Sequence, residues 1–163
     1  MDAIDRQLVS ELHENGRATW AELGRLVGLS GPSVQERVRR LEERGVIRGY
    51  RADVAPEAVG LGVSALVDLY QRDEVATEDV AEQLRAMPEV EDCWYVAGDE
   101  EFVVKVRAPD VAGLEAVISR LRTVRGVART RTTVVLSTYW EGRGLPLPPA
   151  DPPAADQGLP GRP

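Results

Sequence analysis

Apolar residues recur at helical spacing through the first third of the chain. Ile4, Leu8 and Leu12 share one face of a helix that Asp2 can cap and Asn15-Gly16 ends. Thr19 with Glu22 three residues on is a capping box for a second helix carrying Leu23, Leu26 and Val27. Gly28 can take the positive φ of a tight turn. Ser30 can cap a third helix, with Pro32 in the first turn, where a missing N–H costs little. Val34, Val38 and Leu41 form its buried stripe and Gly45 ends it. Residues 46–51 then alternate, which predicts one strand of a small wing.

After a linker at 53–60, marked by Pro56 and Gly60, the period changes. Leu61, Val63, Ala65, Val67 and Leu69 alternate as in a half-buried strand. A helix capped by Thr77 follows, bearing Val80, Leu84 and Met87. Val90, Trp94 and Val96 mark a second strand, and Phe102, Val104 and Val106 a third. Asp110 can cap a helix with Leu114, Val117, Ile118 and Leu121, and Thr132, Val134 and Leu136 share a face of the last strand. The pattern repeats at a spacing of 37: Val67/Val104, Leu69/Val106, Val80/Val117 and Leu84/Leu121 are among eight matched pairs. Two strand–helix–strand copies predict a ferredoxin-like βαββαβ sandwich, so the fold class is α+β. Two helices cover one face of a four-stranded sheet, so the other face predicts a homodimer. The expected domains are 1–52, 61–143 and a Pro-rich tail, 144–163, whose seven prolines and sparse apolar content predict disorder.

Charge sharpens this division. The 163 residues carry a net charge of −7, yet residues 1–52 hold nine Arg against eight acids, while 53–163 hold eleven bases against nineteen acids. Nucleic-acid binding would therefore have to be local to the first segment. One Cys and one His argue against an internal disulfide, a metal site or His-based catalysis. Cys93 reads as a packed thiol and His13 as a complement to its helix dipole. Trp94 and Trp140 read as core or interface residues. The opening Met1–Asp5 lacks the basic and apolar regions of a secretion signal, which predicts a cytoplasmic protein.

Gly24 where two helices cross, Gly28 at the turn and Val34/Val38 on the next helix meet the requirements of a helix-turn-helix. The outer arc of that second helix carries Pro32, Ser33, Gln35, Glu36, Arg39 and Arg40, beside the cap Ser30. Gln can read adenine, Arg guanine, and Glu can accept from cytosine. Arg25 and Arg48 suit phosphate contacts. A small helical domain used for protein contacts would show the same shape, so spacing alone leaves both readings open.

These residues, with Met1-Asp2-Ala3-Ile4-Asp5-Arg6, Asn15-Gly16-Arg17, Ala21-Glu22-Leu23-Gly24, Val27-Gly28-Leu29-Ser30, Glu36-Arg37-Val38-Arg39-Arg40-Leu41-Glu42 and Gly45-Val46-Ile47-Arg48-Gly49-Tyr50, resemble the Lrp/AsnC, or feast/famine, regulators. Val96-Ala97-Gly98-Asp99 and Gly126-Val127, leading into Thr130, Thr132 and Leu136, extend the resemblance to about residue 147. It implies a winged helix-turn-helix joined to an αβ-sandwich ligand-sensing domain. It also implies a DNA-binding transcription regulator, not an enzyme, whose dimers assemble through the sheet and often form octamers. Many such regulators respond to amino acids bound between subunits, near the turn joining the second and third strands.

That turn is Gly98-Asp99-Glu100-Glu101 here. The family commonly has Asp then Tyr where this chain has Glu101-Phe102, which sets the carboxylate one methylene further out. Read from the residues, the three acids are either a solvated hairpin turn or a site for an ammonium group. Backbone groups at Gly98 would meet an effector's carboxylate, and Thr132 and Thr133 of a neighbour would supply hydroxyls. Two further readings share the fold. One is a chromatin-organising protein without effector response, whose binding would be steeply salt-dependent and blind to sequence. The other is an enzyme resembling the porphyrin decarboxylases of haem biosynthesis, which the lone His13 disfavours.

Overall fold

The computed structural model describes residues 1–72 and 74–142. The expected tail at 144–163 and the last residue of the expected second domain lie outside them. The chain divides into two compact units: Met1–Ala52 falls in the first, and Asp53–Tyr139 makes up the second.

The first unit holds three helices, α1 (Ala3–Glu14), α2 (Trp20–Val27) and α3 (Gly31–Glu43). Each starts where a side chain can accept from a free backbone N–H. The Asp5 N–H donates to Asp2 at 2.8 Å, and the Asp2 N–H donates weakly back to Asp5 at 3.4 Å. The Thr19 N–H donates to the Glu22 carboxylate at 2.8 Å, and the Glu22 N–H to the Thr19 hydroxyl at 3.2 Å. The Ser33 N–H reaches Ser30 Oγ at 3.4 Å. A cap of this kind is worth about 1 kcal/mol. Leu8, Leu12, Leu23, Val34 and Val38 bury together as the core, with Ile47 packed against it. Gly24 is needed where α2 meets the turn into α3, since a Cβ there would stand 2.5 Å from the Leu29 carbonyl oxygen. Gly28 closes α2 at φ 70°.

Residues 46–51 form no strand. The N–H groups of Val46 and Ile47 both donate to the Leu41 carbonyl, at 2.9 and 3.2 Å, so they finish α3 instead of joining a ladder. Tyr50 then returns to the helix, its hydroxyl donating to Glu42 at 2.8 Å. Alternation predicts a strand only where a second strand is present to pair with. The stretch 53–60 contains a single 3₁₀ turn, Pro56–Val59.

The second unit runs β1 (Val63–Gln71), α4 (Thr77–Arg85), β2 (Val90–Tyr95), β3 (Phe102–Ala108), α5 (Val111–Thr123) and β4 (Val127–Val135). The sheet is antiparallel throughout, in the order β2-β3-β1-β4. Ala65, Val67 and Leu69 of β1 and Phe102, Val104 and Val106 of β3 bury with Val80 and Leu84 of α4 and Leu114, Val117 and Leu121 of α5. Both members of Val67/Val104, Leu69/Val106, Val80/Val117 and Leu84/Leu121 are thus core residues, so the 37-residue period is a structural repeat.

Details of these elements depart from expectation. Ala76, not Thr77, is the cap of α4, and no side chain caps it. β2 stops at Tyr95, short of Val96, and β4 at Val135, short of the exposed Leu136. Cys93 is exposed and not a packed thiol, because β2 is an edge strand with one neighbour. Trp94 and Trp140 are not in the core of this chain; they are 46% and 72% exposed.

Residues paired across an antiparallel ladder share a face. Leu66, opposite Lys105 and Thr133, and Trp94, opposite Val103, therefore lie on the face turned away from the buried layer. Leu66 is 37% exposed there. Polar groups on this face are locally paired: Lys105 and Arg107 bond Glu91 at 3.0 and 2.7 Å, and the Arg129 guanidinium lies 3.4 Å over the Tyr70 ring.

Candidate nucleic-acid interface and effector turn

α3 is two-sided because Val34, Val38 and Leu41 are drawn into the core. That leaves Pro32, Ser33, Gln35, Arg39 and Arg40 exposed and Glu36 half-buried on the outer side. Ser30 is exposed but occupied as the cap, its hydroxyl 2.8 Å from that of Ser33. Arg25 on α2 and Arg48 beyond α3 are also exposed. Gln35 is exposed and makes no side-chain hydrogen bond to a described residue, so its amide is open to a partner.

Three of the named residues are not independent. The Glu36 carboxylate takes Arg39 in a two-pronged grip, Nε at 2.9 Å and Nη2 at 2.7 Å, and also accepts from Arg40 Nε at 3.0 Å. Arg39 Nη1 bonds Glu43 on the following turn. Arg39, then Arg40, hold the Glu36 carboxyl down to about 2. The guanidinium of Arg39 is raised in turn, by Glu36 first and Glu43 after it. These i,i+3 and i,i+4 pairs are exposed and weak as stability elements. Their consequence is orientation: Glu36 is committed to two arginines and is not poised to accept from a base.

Arg37 does work that its place in the family pattern does not disclose. It leaves α3 toward α1 and bonds Asp2 at 2.7 Å and Asp5 at 2.8 Å. The same two acids cap α1, so one cluster sets both the start of α1 and the placement of α3. The i,i+3 acids at the chain start and an Arg flanking the Val34/Val38 stripe were the available signal.

The β2–β3 connection runs from Val96 to Glu101 and closes on itself: the Val96 N–H donates to the Glu101 carbonyl at 2.9 Å. Gly98 and Asp99 are exposed, and the Glu100 side chain folds over Gly98, where a Cβ would lie 3.3 Å from the carboxylate carbon. Glu101 is an anchor. Its N–H donates to the Leu69 carbonyl at 3.1 Å, and its carboxylate accepts the Gln71 N–H at 2.7 Å. Gln71, which the sequence did not single out, also bonds the Val75 carbonyl through its amide nitrogen, and its amide oxygen is buried without a hydrogen-bond partner among the described residues.

Thr132 and Thr133 are not brought to this turn. Thr132 pairs with Val67 on the covered face and Thr133 with Leu66 on the open face, so the two point opposite ways. β4 is separated from β3 by β1, which is roughly 10 Å across two strand spacings.

An open helix face seated by a helix-turn-helix, and a sandwich with one bare sheet face, together define a class of DNA-binding regulator. Residues 1–42 match the model of the AsnC-type helix-turn-helix domain and residues 63–145 that of the Lrp/AsnC ligand binding domain, and the chain belongs to this family. It is 46% identical over 143 residues to the HTH-type transcriptional regulator LrpA of Mycobacterium tuberculosis, covering 88% of this chain and 95% of that one. Among solved structures, it resembles a feast or famine regulatory protein from M. tuberculosis complexed with L-methionine (46% identity, TM-score 0.83, 88% and 97% of the two chains). It also resembles a transcriptional regulator–L-Met complex from Neisseria meningitidis (31% identity, TM-score 0.84, 90% and 96%). Among the described residues, no helix is long and apolar enough to cross a membrane.

Proposed function

We propose that the chain is a sequence-specific transcriptional regulator, working in the cytoplasm, that reads DNA through the outer side of α3 and responds to an amino acid or a related small molecule. The carrying observation is the exposed row Gln35, Arg39 and Arg40 on a helix whose opposite side is locked into the core. Gln35 and Arg39 would read base edges, while Arg25, Arg40 and Arg48 would meet phosphates and fix the register. The regulator is a homodimer closed over the open sheet face, where Leu66 and Trp94 stay substantially exposed in the single chain. Dimers can assemble further, to an octamer.

The effector lies between subunits at the β2–β3 turn, with Asp99 and Glu100 facing an α-ammonium group and the Gly98 backbone facing a carboxylate. Thr132 or Thr133 of another subunit completes the site. Glu101 supports the turn from behind through Gln71. The L-methionine complexes of two relatives make methionine the first candidate. Binding acts on transcription only if the effector prefers one assembly or DNA-bound arrangement over another.

Fluorescence anisotropy on duplex DNA from upstream of the chain's own gene tests this, with scrambled competitor, a salt series and each of the twenty amino acids. Binding that resists competitor and shifts with one amino acid is expected. Equal, salt-steep binding to both duplexes would contradict sequence reading and leave a chromatin-organising role.

A further inference from the structure

We propose that Glu36 is a specificity-determining positioning residue, which holds the Arg39 guanidinium in the orientation from which Arg39 reads a base edge, and is not itself a reader of cytosine. This role rests on the DNA-binding reading above and refines it. An arginine carries five N–H groups, one on Nε and two on each terminal nitrogen. Glu36 takes the Nε–H and one Nη2–H, and Glu43 takes one Nη1–H. One N–H remains on each terminal nitrogen, and where Glu43 takes the Nη1–H on the Cδ side the two that remain lie side by side, as the O6/N7 edge of guanine requires. In that arrangement Arg39 stays gripped and can still read. The side chain is otherwise long, flexible and 54% exposed, so a free guanidinium would sample many directions and settle on phosphates as readily as on a base.

Glu36 acts a second way. It is the only acid on the outer arc that touches both Arg39 and Arg40 among the described residues, and it faces the DNA with them. Its charge opposes any docking in which the arginines simply neutralise backbone, which is the sequence-blind part of affinity. Losing it should strengthen the wrong complexes more than the right one.

The test compares full-length unaltered protein with Glu36→Gln and Glu43→Gln. The probes are the duplex that the unaltered protein enriches from a random pool and a scrambled version of it. Both variants add the same charge, but only Glu36→Gln releases the two-pronged grip. Glu36→Gln should bind the scrambled duplex more tightly, with a salt slope steeper by about one unit. Its preference for the enriched duplex should fall about tenfold, while Glu43→Gln should change that preference by less than about twofold. Should Glu36→Gln melt early by circular dichroism, Glu36→Asp keeps the charge, shortens the reach and should lose preference in the same way.

An equal fall in both charge variants would overturn the positioning role and leave charge alone. Loss of preference in Glu36→Gln at a position that Arg39→Ala leaves unchanged would overturn it in favour of direct reading. Failure of the unaltered protein to enrich any duplex would overturn the regulator reading, and this role with it.

Discussion

Arg37 of α3 closes on Asp2, the capping residue of α1, at 2.7 Å. The contact joins the first turn of the first helix to the middle of the proposed recognition helix, 35 residues later in the chain. Asp2 is pulled below its ordinary value by the Asp5 N–H first and Arg37 second. Arg37→Ala should cost about 1 kcal/mol, the upper range for an exposed pair, since the two acids retain their capping bonds. Asp2→Ala should cost more, because it removes the cap as well, itself worth about 1 kcal/mol. Urea unfolding of the two variants checks the order, and Arg37→Ala should also weaken DNA binding by loosening the seat of α3.

Gly24→Ala should damage the first unit while sparing the second. The new methyl would meet the Leu29 carbonyl, a backbone atom, at 2.5 Å. Overpacking of this kind costs typically 1–3 kcal/mol. Thermal unfolding should show the helical unit melting early and DNA affinity lost, with the sheet transition unmoved. Two unchanged transitions would mean that α2 and the turn are not packed as described.

Much of this architecture was legible in residue spacing. The caps Asp2, Thr19, Ser30 and Asp110 all serve as such, because capping is decided within three residues. The buried stripes and the repeat were legible for a similar reason, since the period of the apolar residues is the period of the element. What escaped depends on distant partners. Residues 46–51 alternate like a strand, but their first N–H groups are spent on Leu41. Cys93 is exposed because β2 is an edge, which only the strand order reveals. In the candidate site, the outer residues of α3 were foreseen, and the i,i+3 spacing of Glu36 and Arg39 was in plain view. Base-reading capacity is a property of each side chain alone, whereas the grip depends on both rotamers. The anchoring of Glu101 by Gln71 joins residues thirty apart and leaves no local trace.

Leu66→Asp should separate the proposed dimer without unfolding the chain. Leu66 faces away from the buried layer and is 37% exposed, so a charge there does not enter the core. Sedimentation velocity should show a dimer for the unaltered protein and a monomer for the variant, with circular dichroism unchanged. A variant that remains dimeric would move the interface to another surface.

Asp99→Ala should abolish any amino-acid response and leave DNA affinity without effector intact. Asp99 is exposed in the turn and holds no backbone group among the described residues, unlike Glu101. Glu101→Gln should instead weaken the turn itself, because a neutral amide accepts the Gln71 N–H less strongly. Calorimetric titration with L-methionine and the other amino acids separates the two: Asp99→Ala loses binding enthalpy at unchanged melting temperature. A normal response in Asp99→Ala would remove this turn from the effector site.

Acid should loosen the helical unit through the carboxylates that it holds in hydrogen bonds. Asp2 and Glu22 are held below their ordinary values of 3.8 and 4.5, Glu22 by the N–H and hydroxyl of Thr19, and Glu36 is held at about 2. A depressed folded-state value means that the unfolded chain binds more protons in that window. The associated stability is therefore complete above the ordinary carboxylate range and is lost as pH falls toward about 2. The melting temperature of the helical unit should hold between about pH 7 and pH 5 and then decline. A flat profile down to pH 2 would mean that these bonds are absent in solution.

In the proposed dimer, two copies of α3 read DNA in fixed relation to one another. Selection of binding sites from a random duplex pool, run side by side with the unaltered protein and Arg39→Ala, tests it most directly. The unaltered protein should enrich an inverted pair of half-sites with centres about 34–36 Å apart, or a multiple of that distance. Arg39→Ala should lose the preference at one position of each half-site and keep the spacing. A pool with no enriched sequence, or the same sequence enriched equally by both proteins, would contradict the account.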